Sequence, residues 1–367
     1  MNATVIVVGG GYGGCTVAKA LDDVAQVTLI DPKDAFVHNV ASLRTIVDPS
    51  WADRMFLPYE NLLDNGTVIQ DRVVIVEDGI VGLVSGRRIQ ADFIVLAAGT
   101  TYPFPAKFDN THATAAKMRI HRTSKYLAEA DRVVLMGAGA VGLELAGEIA
   151  STWPDKWVTI MDPAPDILSA GFMPGFDRAL QNEMRSRLRE QLAELRIDLV
   201  LGTAPRTMLP TRPGELATFT THTVSGIPVT GDIWFRCHGR QRVSRFLSGA
   251  ARTKDGHITV TPELRVPGTR HLFAIGDPAL TGAPDTAVVA IETGNVAAQN
   301  IRALLSGERK LTPYEPSQPI FIVPLGPKAG ISYMPGTGLM GPDQTAEMKG
   351  NDLLVGQYAE MFGIPAA

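Results

Sequence analysis

Gly9, Gly11 and Gly14 fall at G-x-G-x-x-G spacing directly after a short apolar run, VIVV, at residues 5–8. In such a pattern the first glycine allows a tight turn. The second lets backbone approach a diphosphate, and the third lets a following helix lie close to its strand. A helix opening at Tyr12 presents unpaired N–H groups and the positive end of its dipole to that diphosphate. Asp31 ends the next apolar run, residues 27–30, where a carboxylate accepts hydrogen bonds from an adenosine ribose. The device recurs: Gly137, Gly139 and Gly142 repeat the spacing after a second apolar run, and Asp162 ends the run at 157–161. Two complete fingerprints imply two βαβ units and two dinucleotides. A carboxylate at 162 bonds the ribose 2′-hydroxyl of NADH and repels the 2′-phosphate of NADPH, and Pro163 and Ala164 follow with no arginine to compensate. The expectation is therefore NADH over NADPH.

Further candidates sit at other strand ends. Glu144 falls in the first turn of the second fingerprint helix, where it either touches the nicotinamide end of a cofactor or answers the helix dipole. Ala98 and Gly99 close the run DFIVLAAG, with Thr100 following, and these small residues let a dinucleotide lie across the sheet edge, unless they only permit a turn. Gly276 and Asp277 close HLFAIGD, and Val288 lies in the first turn of the apolar helix that follows. An acid there suits the ribitol hydroxyls of a flavin, and the helix N-terminus suits negative charge on a reduced ring. A G-D turn with a helix cap explains the same residues without a ligand. Gly239 ends the strand at 233–239, and Val73, in a small antiparallel meander at 71–84, is the expected contact to an adenine.

These residues need a scaffold of short buried strands and long helices. The runs at 5–8, 27–30, 92–99, 132–136 and 157–161 are apolar without alternation, as in strands buried on both faces of a parallel sheet. Residues 176–196 repeat Leu180, Met184, Leu188, Leu192 and Leu195 at helical spacing, with the arginines at 185, 187, 189 and 196 on the wet face. Residues 286–305 form a second long helix, residues 218–229 are turn-rich and β-like, and 320–325 is core. The stretch MKGNDLLVGQYAEMFG reads as one helix. The fold class is α/β, with two Rossmann-like domains for FAD and NADH and a small C-terminal α+β domain.

The chain's 367 residues suffice for two or three domains. Hydrophobic residues make up 45% and charged residues 20%, as in soluble globular proteins, and the net charge of −4 offers no basic surface to nucleic acid. No apolar run approaches the ~20 residues that span a bilayer. The first strand begins too early for a signal peptide, and Asn2 stands where N-myristoylation needs glycine. The expected location is cytoplasmic. Two distant cysteines, Cys15 and Cys237, give no disulfide framework, the seven histidines give no metal-ligand spacing, and no G-x-S-x-G elbow is present. No metal is expected.

The motifs VVGGGYGG, FVHNVASLR, IVLAAGTTYPFPAKF, VVLMGAGAVGLELAGEIA, HLFAIGD and the late KGNDL together resemble the two-dinucleotide flavoprotein reductases. The closest branch is the short apoptosis-inducing-factor-like group that includes the ferroptosis suppressor flavoprotein. The resemblance implies an FAD domain split between residues 1–112 and 249–312, an inserted NADH domain at 113–248, and a flavin-covering domain at 313–367. It adds Asn39 to the FAD positions and brings residues 34–44 close to the flavin, where the residues alone equally suit an ordinary loop-to-helix connection. It sets Lys349 near the isoalloxazine, where a cation steadies the reduced ring; a surface lysine is the competing reading. Lys349 and Glu144 are thus the candidate catalytic residues, as positioning groups. The C-x-x-x-x-C of disulfide reductases is absent, so an acceptor must take electrons from the flavin directly. A quinone is expected; a small iron–sulfur carrier protein and an NADH-sensing module with little turnover are the alternatives. Asn2 in place of a glycine and the ending Ile364-Pro365-Ala366-Ala367 argue against membrane docking, and a homodimer is left open.

Overall fold

A computed structural model describes residues 3–169, 175–249 and 251–364. The amino-terminal residues and the end of the tail, on which the targeting and membrane-docking expectations rest, lie outside the described residues. The apolar strand runs become two parallel sheets. In the first, Thr4–Val8 lies between Gln26–Asp31 and Phe93–Leu96, with Thr67–Gln70 and Leu272–Ala274 outermost. In chain order this is 3-2-1-4-5, the arrangement of a doubly wound sheet. The second sheet, Ile197–Leu201, Trp157–Asp162, Arg132–Met136 and Ile233–Arg236, repeats it as 3-2-1-4. Every pairing within both sheets is parallel.

The unbroken apolar runs are explained by burial on both faces. Val5, Val7, Val133 and Leu135 are completely buried, and each such side chain contributes roughly 1.5–3 kcal/mol on transfer from water. Helix Tyr12–Leu21 crosses helix Ala287–Leu305 closely. The contact needs glycine, because a Cβ on Gly13 would sit 2.6 Å from the Ala290 carbonyl oxygen. Thr286 caps the long helix by accepting from the Val289 N–H.

The meander forms as read, from Val73–Glu77, Ile80–Leu83 and Arg88–Gln90. The turn-rich stretch becomes the hairpin Phe219–His222 with Pro228–Gly231. Helix Arg178–Glu194 buries Met184, Leu188 and Leu192 as its spacing requires. Its arginines are not all solvated, since Arg185 reaches back to donate to the carbonyls of Ile167 and Leu168.

In the C-terminal region an antiparallel sheet, Phe321–Pro324, Gly330–Met334 and Gly338–Met340, precedes a short helix, Pro342–Thr345, and the stretch read as one helix does not form as one. One π turn, Ala346–Gly350, follows, and only then helix Val355–Met361. Leu353 and Leu354, between the last two, have φ of 53° and 64°. Two leucines in the left-handed region break a helix, and their apolar character gave no hint of it.

Candidate functional site

Strand order decides where the site lies. In an open parallel sheet the crevice opens at the carboxyl ends of the two strands where the order reverses. In the first sheet these are Thr4–Val8 and Phe93–Leu96, and the residues just beyond them, Gly9 to Gly13 and Ala97 to Thr100, line a cleft of about 400 Å³. In the second sheet the reversal falls between Arg132–Met136 and Ile233–Arg236. The loops after them carry Gly137 to Gly139 and Gly239.

The first loop is glycine by necessity. A Cβ on Gly9 would sit 2.5 Å from the Ala97 carbonyl oxygen, and one on Gly14 would sit 1.8 Å from that of Gly9. A Cβ on Gly11 would meet nothing within 4 Å, so backbone there is open to a ligand. Gly11 is the extended N-cap of helix Tyr12–Leu21, with no side chain capping it. The helix therefore offers its free N–H groups to the cleft, as a diphosphate site requires. The second loop repeats the pattern. A Cβ on Gly142 would sit 1.9 Å from the Gly137 carbonyl oxygen, one on Gly137 would sit 2.8 Å from that of Cys237, and one on Gly139 would meet nothing.

Both fingerprint carboxylates are tied to their loops. Asp31 accepts from the N–H groups of Gly10 at 2.7 Å and Lys33 at 2.8 Å. Asp162 accepts from those of Ala138 and Ala164, both at 2.7 Å. A carboxylate has about four acceptor positions, so each acid is oriented by its loop and keeps capacity for a ribose.

The cleft's far wall brings in the remaining candidates. Asn39, Ala98, Gly99, Thr100, Gly276 and Asp277 all line it. Asp277 accepts from the Thr100 hydroxyl at 2.6 Å, and Lys107 donates to the same hydroxyl oxygen at 2.8 Å. Lys107 also lies 3.8 Å from the Asp277 carboxylate. Burial holds the Lys107 ammonium below the usual lysine range, with Asp277 opposing the shift. Tyr12 lines the cleft and bonds His38 at 3.2 Å. The His38 imidazole is completely enclosed, and its Nε2 meets the Leu353 carbonyl at 2.7 Å. A carbonyl only accepts, so Nε2 carries the proton and Nδ1 accepts from the Tyr12 hydroxyl. Burial lowers the His38 pKa from 6.5 to about 4.

Glu144 and Lys349, 205 positions apart, meet in the cleft wall with Nζ to Oε1 at 3.0 Å, each side chain about 15% exposed. Glu144 comes from the second fingerprint helix, Ala140–Thr152, and Lys349 from the π turn. Burial pushes the Glu144 carboxyl above its ordinary range, and the adjacent Lys349 cation opposes that. This pair, with Ala140 and Val141, sets the start of the second helix into the wall of the first cleft.

Of the candidates for the first cleft, Gly14, Val73 and Val288 are not in its lining; Gly14 is buried beneath the Gly9 carbonyl. Val73 is buried in the core beneath the meander with Ile30 and Leu96. Val288 is 47% exposed, because one residue turns a helix by about 100° and it is Ala287 and Ala290 that face the cleft. Gly137, Gly139, Gly142, Asp162 and Gly239 form the second cradle, beside the cleft and not in its lining.

Several contributors had no sequence signal. Tyr59 lines the cleft and donates to the Gly10 carbonyl at 2.8 Å, and a Cβ on Gly10 would sit 2.2 Å from that hydroxyl. Gly10, at a position the motif leaves unspecified, is thus packed so closely that a Cβ would have to displace the Tyr59 hydroxyl. Asp285, with Arg240 and Arg242 at 2.8 and 2.7 Å, lies at the cleft margin. Arg44 and Glu148 form a buried ion pair at 2.8 Å. Among the described residues no His, Cys, Asp and Glu cluster is arranged to hold a metal, and no helix is long and apolar enough to cross a membrane.

Comparison with known proteins agrees with this geometry. The model of the pyridine nucleotide-disulphide oxidoreductase family matches residues 3–294. Apoptosis-inducing factor homolog B of Dictyostelium discoideum is 28% identical, over 98% of this chain and 97% of its own. Ferroptosis suppressor protein 1 of Taeniopygia guttata is 28% identical, over 91% and 89%. Among solved structures, the sulfide:quinone oxidoreductase of Aquifex aeolicus superposes with a TM-score of 0.75, covering 100% of this chain and 93% of that one at 16% identity, a likeness of fold. Two doubly wound sheets with matched glycine cradles and this family match lead to one conclusion: the chain belongs to the pyridine nucleotide-disulphide oxidoreductase family.

Proposed function

We propose that this protein is an FAD-dependent NADH:acceptor oxidoreductase, with FAD in the first cradle, NADH in the second, and a quinone as the electron acceptor. The observation that carries the reading is the meeting of the two units: the helix that opens at the second cradle puts Glu144 into the wall of the cleft that opens at the first. The residues fit the flavin. Gly11 leaves backbone open where a diphosphate would lie, Asp31 keeps acceptor capacity for a ribose, and Asp277 and Thr100 suit polyol hydroxyls. When bound, the flavin supplies the hydride chemistry between nicotinamide and acceptor.

The chain's own residues orient and tune. Lys349, largely buried beside Glu144, would supply a cation to a bound flavin ring as it gains negative charge, and electrostatic preorganisation of this kind requires no protein acid or base. Glu144 holds that ammonium in place and borders the second cradle. Under this reading residues 1–112 and 249–312 form the flavin domain, 113–248 the NADH domain, and 313–367 the cover that carries Lys349. Gly137, Gly139, Gly142 and Gly239 would line the NADH diphosphate, and Asp162 would select NADH by repelling a 2′-phosphate. Cys15 and Cys237 are both free and buried, one under each cradle, and burial pushes the Cys237 thiol up to about 12. Neither suits a dithiol relay, which supports direct transfer from flavin to a small acceptor.

The test is anaerobic reduction by NADH followed by mixing with soluble quinone analogues, oxygen and iron–sulfur carriers. A yellow protein bleached by NADH and reoxidised fastest by quinones is the expected result. A colourless protein that takes up no flavin refutes the reading, and fast turnover only with an added carrier refutes the quinone. Alanine at both Glu144 and Lys349 with flavin reduction unchanged removes their assigned role.

A further inference from the structure

Lys349 lies in a π turn, and that geometry leaves backbone carbonyls without helical partners. The turn closes with the Asn351 N–H on the Ala346 carbonyl at 2.8 Å and the Leu353 N–H on the Lys349 carbonyl at 2.9 Å. The carbonyls of Gly350 and Asn351 are taken by one side chain from the far end of the sequence. Arg44 donates from Nη2 to Gly350 at 2.6 Å and from Nη1 to Asn351 at 2.9 Å. The same guanidinium is bidentate to Glu148, with Nε and Nη2 contacts of 2.8–3.1 Å, and packs over the Trp51 ring at 4.9 Å. Both side chains are under 8% exposed. Burial pushes the Glu148 carboxyl up, and Arg44 opposes that.

Glu148 lies four residues after Glu144 on the same helix, hence on the same face one turn along. That helix therefore holds the π turn twice: Glu144 grips Lys349 itself, and Glu148, through Arg44, grips the backbone just after it. The helix is also pressed onto the C-terminal sheet, since a Cβ on Gly147 would sit 2.3 Å from the Leu325 carbonyl carbon. Only a planar fork serves a carboxylate and two carbonyls together; a lysine ammonium lacks that geometry.

We propose that Arg44 is a positioning residue: by bridging Glu148 to the Gly350 and Asn351 carbonyls it fixes the π turn against the second fingerprint helix and so holds the Lys349–Glu144 pair at the cleft. The effect on flavin rests on the reading above; the effect on the turn does not. Replacing Arg44 alone by an apolar residue strands a buried carboxylate and endangers folding. The useful variants are therefore R44K and the doubly neutral R44M/E148L. In the flavin-free full chain, amide exchange at residues 349–354 rises about tenfold or more in R44M/E148L, as for loss of charge-assisted hydrogen bonds, and less in R44K. In the flavin-loaded protein, both shift the flavin midpoint potential in the direction that Lys349→Met does, and neither shifts it further once Lys349 is already Met. Unchanged local exchange, or a potential shift that persists in the Lys349→Met background, overturns the proposal. If the protein binds no flavin, the flavin reading fails on its own and the exchange experiment still decides whether Arg44 fixes the turn.

Discussion

The two cradles are built alike and held differently. Each has a first glycine pressed against the neighbouring strand end, a second facing open space, a third under the first's carbonyl, and an acid bonding the loop's central N–H. They part at the central carbonyl. In the first cradle the Gly10 carbonyl accepts from the Tyr59 hydroxyl, and Gly10 has no room for a side chain. In the second, the Ala138 carbonyl accepts from the Leu168 N–H at 2.9 Å, and a methyl group fits. The helices differ too. Tyr12 opens the first and is wired through His38 to the C-terminal turn, whereas Ala140 opens the second. The first loop is therefore anchored by side chains from remote segments, as suits a cofactor retained through turnover. The second is held at its central carbonyl by backbone, with a tyrosine, Tyr102, reaching only the Cys237 carbonyl at the neighbouring strand end at 2.7 Å, as suits one that exchanges.

The largest test separates the two outright. Gly14→Ala drives a methyl to 1.8 Å from a carbonyl oxygen and Gly142→Ala to 1.9 Å, and overpacking of this kind costs about 3 kcal/mol or more, roughly a hundredfold in affinity. Gly14→Ala should yield colourless protein. Gly142→Ala should stay yellow with NADH-driven bleaching slowed about a hundredfold. Absorbance of the purified variants and a stopped-flow trace with NADH decide it, and equal flavin loss in both would erase the assignment of cradles.

Acid should act on the first cradle through His38. Its native pKa of about 4 lies below the ordinary 6.5, so the imidazole is folded in its neutral form. Between those values the unfolded chain binds a proton that the folded chain does not, so stability rises with pH across the window. The contribution is complete above pH 6.5 and is lost as pH falls towards 4, by up to about 3 kcal/mol. His38→Phe should flatten the dependence of melting temperature on pH in that window. An unaltered profile would mean that other groups set the acid limit.

What could be read in advance follows from the range of the interactions. Strand runs, glycine spacing and terminal acids are local, so the sheets, both cradles and Asp31 and Asp162 were legible. Glu144 and Lys349 were legible as residues, but their meeting joins positions 144 and 349 through a π turn that no periodicity announces. Arg44 is the extreme case. Its partners are Glu148, Gly350 and Asn351, two of them backbone carbonyls, and a carbonyl has no residue type to read. Val73 and Val288 fall outside the cleft lining because a strand's face and a helix's 100° step decide which neighbour lines a cleft, and spacing at an element's edge does not fix that phase.

The smallest prediction bears on the anchor itself. Tyr59→Phe removes only the hydroxyl that donates to Gly10 at 2.8 Å, and the ring stays in its buried place. A hydrogen bond to a neutral carbonyl contributes about 1 kcal/mol, and the Cys15 thiol, 3.4 Å from the same Gly10 carbonyl, is only a weak remaining donor. Flavin should dissociate roughly tenfold more readily, with NADH affinity unchanged. The asymmetry is expected because the central carbonyl of the second cradle has no side-chain donor: Leu168 supplies that bond from backbone, and Tyr102 donates instead to the Cys237 carbonyl. Fluorescence of flavin released on dilution measures it directly. Retention equal to the unsubstituted protein would show that the loop is held without the Tyr59 hydrogen bond, and the proposed difference between a retained and an exchanging cradle would then need another cause.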